Sequence, residues 1–225
     1  FFAKDYVNHP NIRQTDQSSV TGSDKVQGST TKNHVGYGAG VRYMFLDPLA
    51  LKVSFEHSVR LPVARELLGN GTTIYANVAL EPEKSNNLNL SVFGTWHPAT
   101  GHTLHYETNG FLRYVDNYIQ TSVIEKEGML QYVNDPAVHI KGVEGEIRYD
   151  WDGRLQFMAN VSYQDARDQQ KYKEDGKPSA TYDNHVPNRP WLFGSAEASY
   201  TFRDLWKRGN RLRFGCSCQW VHWYF

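Results

Sequence analysis

Long apolar runs are missing from this 225-residue sequence. Nothing approaches the run of about eighteen apolar residues that a membrane-spanning helix needs, and the mean hydropathy is −0.62. A transmembrane helix is therefore excluded. A membrane β-barrel is not, because each of its strands turns only half its residues to lipid. Charge of one sign is also missing: 24 Lys and Arg balance 24 Asp and Glu, so nothing points to nucleic acid or to an acidic substrate. Cysteine is scarce. Cys216 and Cys218 lie two apart on one face of an expected strand, where a bridge is geometrically awkward, and they read as small apolar fillers. There is no His-Glu-x-x-His, no Cys/His cluster at metal-ligand spacing, no Gly-x-Ser-x-Gly, P-loop or dinucleotide fingerprint. Neither a metal, a cofactor nor an enzymatic activity is expected. An initiator Met and a leader are absent as well. The chain opens on FFAKDY and closes on WYF, which reads as a fragment cut through strands, with any targeting segment outside it.

What the sequence has is two-residue alternation. Leu51, Val53, Phe55, His57 and Val59 alternate with Lys52, Ser54, Glu56, Ser58 and Arg60, giving one oily and one wet strand face. Alternation stops at Leu61-Pro62, since proline cannot donate to a ladder. Further strands are expected over Phe1–Tyr6, His34–Leu46, Leu88–Trp96, Thr103–Thr121, His139–Trp151, Leu155–Arg167, Trp191–Phe202 and Leu212–Phe225. That makes about nine strands, with no convincing helix. Asp152-Gly153 is a strong hairpin signal. Residues 7–32, rich in Ser, Thr, Asn, Asp, Gln and Gly, read as a mobile loop.

Connections alternate in length. Those near 47, at 97–102, at 152 and at 203–210 are short; those at 7–32, 61–87, 122–138 and 168–189 are long. In an antiparallel meander this gathers the short turns at one end and the long loops at the other, the layout of an outer-membrane barrel. Tyr43, Phe45, Trp96, Tyr149, Trp151, Tyr200 and Phe202 all fall near the short turns, as one interfacial aromatic girdle would require. Most runs reach the ~9–11 residues that cross an apolar band at a tilt. The expected fold is thus all-β: an antiparallel up-and-down meander over residues 1–225, part of a large transmembrane β-barrel. A soluble, secreted β-sandwich or propeller that binds glycans is the alternative that periodicity alone leaves open.

The run from Val59 to Ser85 resembles a signature of the barrels of TonB-dependent outer-membrane receptors. There, Arg-x-Pro with a following Glu-Leu precedes an Asn-Pro-x-Leu-x-Pro-Glu-x-Ser type run. Here these read Arg60-Leu61-Pro62, Glu66-Leu67 and Asn77-Val78-Ala79-Leu80-Glu81-Pro82-Glu83-Lys84-Ser85, with Val78 in place of the usual proline. Lys141-Gly142-Val143-Glu144 and Val186–Pro190 are similar to later strand entries of the family. The resemblance covers residues 40 to 202, about the second half of such a barrel. It implies an outer-membrane receptor of a Gram-negative bacterium, surrounded by outer-membrane lipid. Such a receptor binds a scarce nutrient through outside loops. An inner-membrane TonB energy-transducing complex then drives import through a plug domain that is not in this chain. A surface lipoprotein is a further partner it implies. The haem branch carries a histidine between the two runs. None occurs between Pro62 and Asn77, which counts against haem, with His57 and His185 left open. Siderophore, cobalamin, glycan and peptide classes all remain.

By the same resemblance Pro62, Glu66, Asn77, Glu83, Lys84 and Ser85 form a loop-base signature near the outer rim. Arg60 and Tyr75 are the candidate substrate-binding residues. Two other clusters have bland readings. His97, His102 and His105 crowd one short turn, as solvated turn histidines or as a metal site. Glu144 and Glu146 share a strand face ~6–7 Å apart, a spacing that suits catalytic carboxylates. With Lys141 and Arg148 nearby, a lumenal charge network is the favoured reading.

Overall fold

The computed structural model describes residues 2–8, 12–13, 25–26, 29–46, 48–124, 128–173 and 175–224, side chains being described from residue 33 to 222 within these. In chain order the elements are β1 (Phe2–Asn8), β2 (Ile12–Arg13), β3 (Lys25–Val26), β4 (Ser29–Val35), β5 (Tyr37–Leu46), β6 (Leu49–Arg60), α1 (Ala64–Leu68), β7 (Ile74–Tyr75), β8 (Glu83–Trp96), β9 (His102–Ile124), β10 (Met129–Trp151), β11 (Leu155–Asp168), β12 (Pro190–Arg203) and β13 (Arg211–Tyr224). No helix among the described residues is long and apolar enough to cross a membrane, which says nothing about crossing by strands.

One nine-stranded sheet dominates. Its order, β13-β12-β11-β10-β9-β8-β6-β5, is a pure antiparallel meander, and β7 adds to β10 alone in parallel. The expected up-and-down architecture is present. Register carries one set of apolar residues across every strand. Val41 faces Val53, Val53 faces Leu90, Phe55 faces Leu88 and Leu88 faces Leu112. On the far side Val143 faces Tyr163, Ile147 faces Ala159 and Tyr200 faces Phe214. This flank is bare: Val53 is 41% and Val41 72% exposed. Among the described residues no second layer covers it, which removes the sandwich alternative. The opposite flank holds Glu56, Asn89, Glu107, Glu146, Asn160 and Glu197, joined across strands by contacts such as Ser91 to Asn109 (3.0 Å) and Asn160 to Ser195 (2.7 Å).

The short turns share one end. At the Asp152-Gly153 turn both residues adopt φ of +49° and +61°, the left-handed pair a type I′ turn demands. Arg154 N–H closes it onto the Trp151 carbonyl (2.7 Å). The expected girdle is here. Tyr43 meets Phe45 edge-on at 4.7 Å, His102 stacks on Trp151 at 5.7 Å, and Tyr200 and Phe202 meet at 4.7 Å. A second row, which sequence reading did not anticipate, lies at the other end of the apolar flank. There Tyr37 stacks on His57 (5.0 Å), Tyr114 meets His139 edge-on (4.6 Å), and Tyr163 meets Trp191 (5.9 Å).

Three boundaries are corrected. Within 122–138, residues 122–124 and 129–138 are strand rather than loop: β9 and β10 pair from Ile124↔Met129 down to His102↔Trp151. The Asp135-Pro136 pair suggested a break. Pro136 is instead absorbed opposite Asn117, which takes φ +57°. The Asn134 side-chain amide donates to the Asn117 carbonyl (2.8 Å), supplying a hydrogen the proline cannot give. Strand β8 re-enters at Glu83 rather than Leu88, because Ser85, Asn86 and Asn87 ladder onto Ser58, His57 and Glu56. At the start, residues expected in the 7–32 loop pair as strand, with Val7↔Thr30 and Asn8↔Ser29 in β1–β4, and β2 with β3. The rest of that loop lies outside the described residues.

At the end opposite the short turns, β9, β10 and β11 run past the aromatic row. The 169–189 connection folds back there. Val186 packs with Val115, Tyr118, Val138 and Ala166 around a point where Val138 is fully buried.

Candidate functional site

The excursion between β6 and β8 is built from its base upward. Arg60 ends β6 and Glu83 opens β8, directly opposite one another in register. The guanidinium forks onto that carboxylate, Nε to Oε2 at 2.6 Å and Nη2 to Oε1 at 2.9 Å. Its Nη1 reaches both oxygens of Glu66 at 3.0 Å. Such bidentate, charge-assisted bonds fix orientation as well as energy. The Glu83 bond, opposed by partial burial and joined by Glu66, pushes the Arg60 pKa upward. Glu83 Oε1 also accepts the Ile119 N–H (2.7 Å), so one carboxylate ties β6, β8 and β9 together.

Pro62 ends the ladder, and Glu66 sits three residues after Val63, the N-cap of α1. Its carboxylate accepts the Val63 N–H (2.9 Å), half of a capping box whose other half valine cannot supply. Gly69 closes the helix at φ +67°. A Cβ there would lie 2.1 Å from the Ile74 carbonyl oxygen, so this position needs glycine. Ile74 and Tyr75 then add in parallel to Leu130 and Gln131 of β10. Asn77 donates to the Tyr132 carbonyl (2.8 Å) and receives the Ala79 N–H (3.1 Å). Asn134 receives the Glu81 N–H (2.8 Å) and donates to the Glu81 carbonyl (2.9 Å). Below, Ser58 and Ser85 share a hydroxyl bond (2.8 Å) bridged by Asn87 (3.1 Å to each).

The signature residues therefore come together only in part. Arg60, Pro62, Glu66, Glu83 and Ser85 form a pedestal. Asn77 and Tyr75 lie against the β10 extension, with Tyr75 half-buried. Lys84 is exposed on the apolar flank's parity, opposite Val59 and Asp116. Asn117 and Asn134, which lock the excursion onto the extended hairpin, carried no recognisable spacing. Only the register of a hairpin read as a loop brings them into play.

The extended hairpin also buries charge. Asp135 receives an amide hydrogen from Gln120 (3.1 Å). Burial, then repulsion from the buried Asp168, pushes its pKa to about 6 against the pull of the Ala137 N–H. Burial likewise raises Tyr118, opposed by Arg189, whose guanidinium lies 5.3 Å from the centre of its ring.

The other candidate clusters disperse. His97, His102 and His105 bond separately to Thr103 (3.2 Å), Tyr149 (2.7 Å) and Thr95 (2.7 Å). No metal-holding group of three ligands occurs among the described residues. Glu146 pairs with Arg148 at 2.5 Å on the polar flank. Lys141, expected in that network, stands on the other flank and pairs with Asp165 (3.4 Å), because 141 and 146 differ by an odd number of residues. Cys216 and Cys218 are free and exposed on the apolar flank, opposite Ala198 and Ala196.

A bare apolar flank, aromatic rows at both its ends and a pedestal under the long connections are joined by one further observation. The family described as TonB-dependent receptor-like, β-barrel matches residues 4–221. The chain belongs to the TonB-dependent receptor β-barrel family. Solved structures of the same fold include the copper transporter OprC (16% identity, 90% of this chain and 30% of that one, TM-score 0.64). Another is the ferric-catecholate import receptor Fiu of Escherichia coli K12 (15%, 88% and 27%, 0.55). A third is the hemophore receptor HasR of Serratia marcescens, solved with its hemophore and heme (14%, 97% and 47%, 0.55). The present TonB-dependent receptor barrel chain spans under half the length of each. The family is a transporter and receptor class of the Gram-negative outer membrane rather than an enzyme class.

Proposed function

We propose that residues 1–225 form part of a transmembrane β-barrel in the outer membrane of a Gram-negative bacterium. The receptor it builds binds a scarce nutrient of the siderophore, cobalamin, glycan or peptide class through its long connections. Import is energised by an inner-membrane TonB complex acting on a plug domain, with no covalent chemistry. The observation that carries this reading is the apolar flank: it runs across all eight meander strands, bare, between two aromatic rows, while the other flank is polar. The long connections rise from the end where the Arg60–Glu83 pedestal stands. Arg60 and Tyr75 remain the ligand-side candidates. Because the two carboxylates occupy Arg60's donors, its contribution runs through the pedestal, whereas Tyr75 sits higher, on the excursion itself.

The test is uptake by the complete receptor that contains this chain and its plug, expressed in a Gram-negative strain stripped of its own receptors. Labelled ferric siderophores, cobalamin, oligosaccharides and peptides are supplied in turn. Saturable accumulation of one class that stops when TonB is deleted is expected. Accumulation indifferent to TonB, or recovery of the protein from the soluble fraction, overturns the proposal.

A further inference from the structure

The chain is neutral as a whole, yet one short turn is strongly basic. Between Arg203 and Arg211, Arg203, Lys207, Arg208 and Arg211 face a single carboxylate, Asp204. The turn is closed on itself. Asp204 N–H bonds the Asn210 carbonyl (3.0 Å), Gly209 N–H bonds Asp204 Oδ1 (2.5 Å), and Asn210 N–H bonds the Lys207 carbonyl (3.1 Å). Asp204 and Gly209 take φ of +56° and +91° to allow it. At the tip of this frame stand Leu205 and Trp206, the latter 78% exposed, with Lys207 and Arg208 beside them.

Register sharpens the charge. Arg203 lies directly opposite Arg211, a like-charge pair that is unfavourable on a sheet. Arg203 turns to Asp152 (3.5 Å), leaving the Arg211 and Lys207–Arg208 cations with no carboxylate partner among the described residues. Of the other short turns, 97–101 reads His-Pro-Ala-Thr-Gly, without Lys or Arg, and the 152–154 turn pairs its one cation, Arg154, with Asp152 (3.4 Å). The turn also adjoins the girdle, since Phe202 meets Phe214 edge-on at 6.0 Å at its root.

We infer that this turn is a docking patch for anionic phospholipid headgroups of the leaflet on the short-turn side. Trp206 and Leu205 seat among headgroups, where amphipathic rings prefer to lie. Lys207, Arg208 and Arg211 meet phosphates, their stems lying along apolar surface. The inference rests on the membrane-spanning reading above. Each Lys or Arg near an anionic surface strengthens association roughly fivefold, so three of them give a preference well outside measurement error even after screening.

The test uses the complete receptor that contains this chain, inserted in vesicles of phosphatidylcholine mixed with phosphatidylglycerol, one of the two carrying brominated acyl chains as quencher. The Trp206 signal is isolated as the difference between the unmodified chain and W206F. Quenching at least threefold stronger when bromine is on phosphatidylglycerol, lost in the K207Q/R208Q/R211Q variant, is expected. Equal quenching from both lipids, a preference that survives in the triple variant, or no quenching from either because protein covers the patch, overturns the inference. Protease protection of the strands is measured on the same samples. Its loss overturns the membrane reading instead, so the two failures are distinguishable.

Discussion

Replacing Val53 with arginine separates lipid from water on the bare flank. Val53 is the third of the six residues that β6 turns to that side, after Leu49 and Leu51 and before Phe55, His57 and Val59. At a rise of ~3.3 Å per residue and a tilt near 40°, it sits roughly 10 Å from Leu49 on one side and from His57 of the second aromatic row on the other. Its neighbours in register are Val41 and Leu90, so no acid is at hand to neutralise an added guanidinium. Arginine at the bilayer midplane costs ~2–4 kcal/mol, or about 30- to 1,000-fold in the folding equilibrium. The control is Ser54→Arg, one residue along on the polar flank opposite Asn89, where the change should stay within about 1 kcal/mol. Reversible urea unfolding of the complete receptor that contains this chain, in vesicles of short-chain lipid, reads both. A Val53→Arg chain as stable as the unsubstituted one, or a Ser54→Arg chain equally damaged, refutes the assignment of the flanks.

Glu83→Gln leaves Arg60 a single carboxylate and weakens the acceptor for Ile119. Because Arg60 is partly exposed, the cost is about 1 kcal/mol, seen as faster hydrogen exchange at Ile119 and across residues 61–82 with the strand ladders unchanged. Gly69→Ala should release α1 from Ile74, costing more than about 1 kcal/mol, and raise exchange of the Ile74 and Tyr75 amides. Asp135 gives the outer hairpin an inverse pH dependence. Its folded pKa of about 6 exceeds the ordinary value, so the folded state prefers the protonated form. The resulting stability is full below about pH 4 and is lost as pH rises through about 6, by of order 1–2 kcal/mol. Asp135→Asn should flatten that profile in exchange measurements at Ala137 and Gln169. A profile unchanged by the substitution would count against the burial argument.

The meander was legible because Leu51 to Arg60 and His139 to Trp151 alternate with a period of two, and no tertiary effect competed with that pattern. The first girdle was legible because its aromatics lie next to turn residues. The loop base was legible only through its resemblance to a family, since nothing in the spacing of Arg60, Glu66 and Glu83 reveals that one guanidinium spans both acids. Residues 122–138 were misread for a definite reason. Proline is an unreliable stop when a partner such as Asn117 can turn left-handed and Asn134 can replace the lost donor. The second aromatic row was hidden because Tyr114, His139 and Tyr163 are far apart in sequence and meet only through register.

The two aromatic rows also act as a depth gauge. On β11, Leu155 begins one end of the apolar flank and Tyr163 marks the other, eight residues on; at ~3.3 Å per residue and a tilt near 40° that is roughly 20 Å of thickness. A hydrocarbon layer much deeper than this must thin around the protein or push the sheet to tilt further. Chain length of the surrounding lipid should therefore govern how readily this polypeptide inserts, with short acyl chains favouring assembly and long ones slowing it.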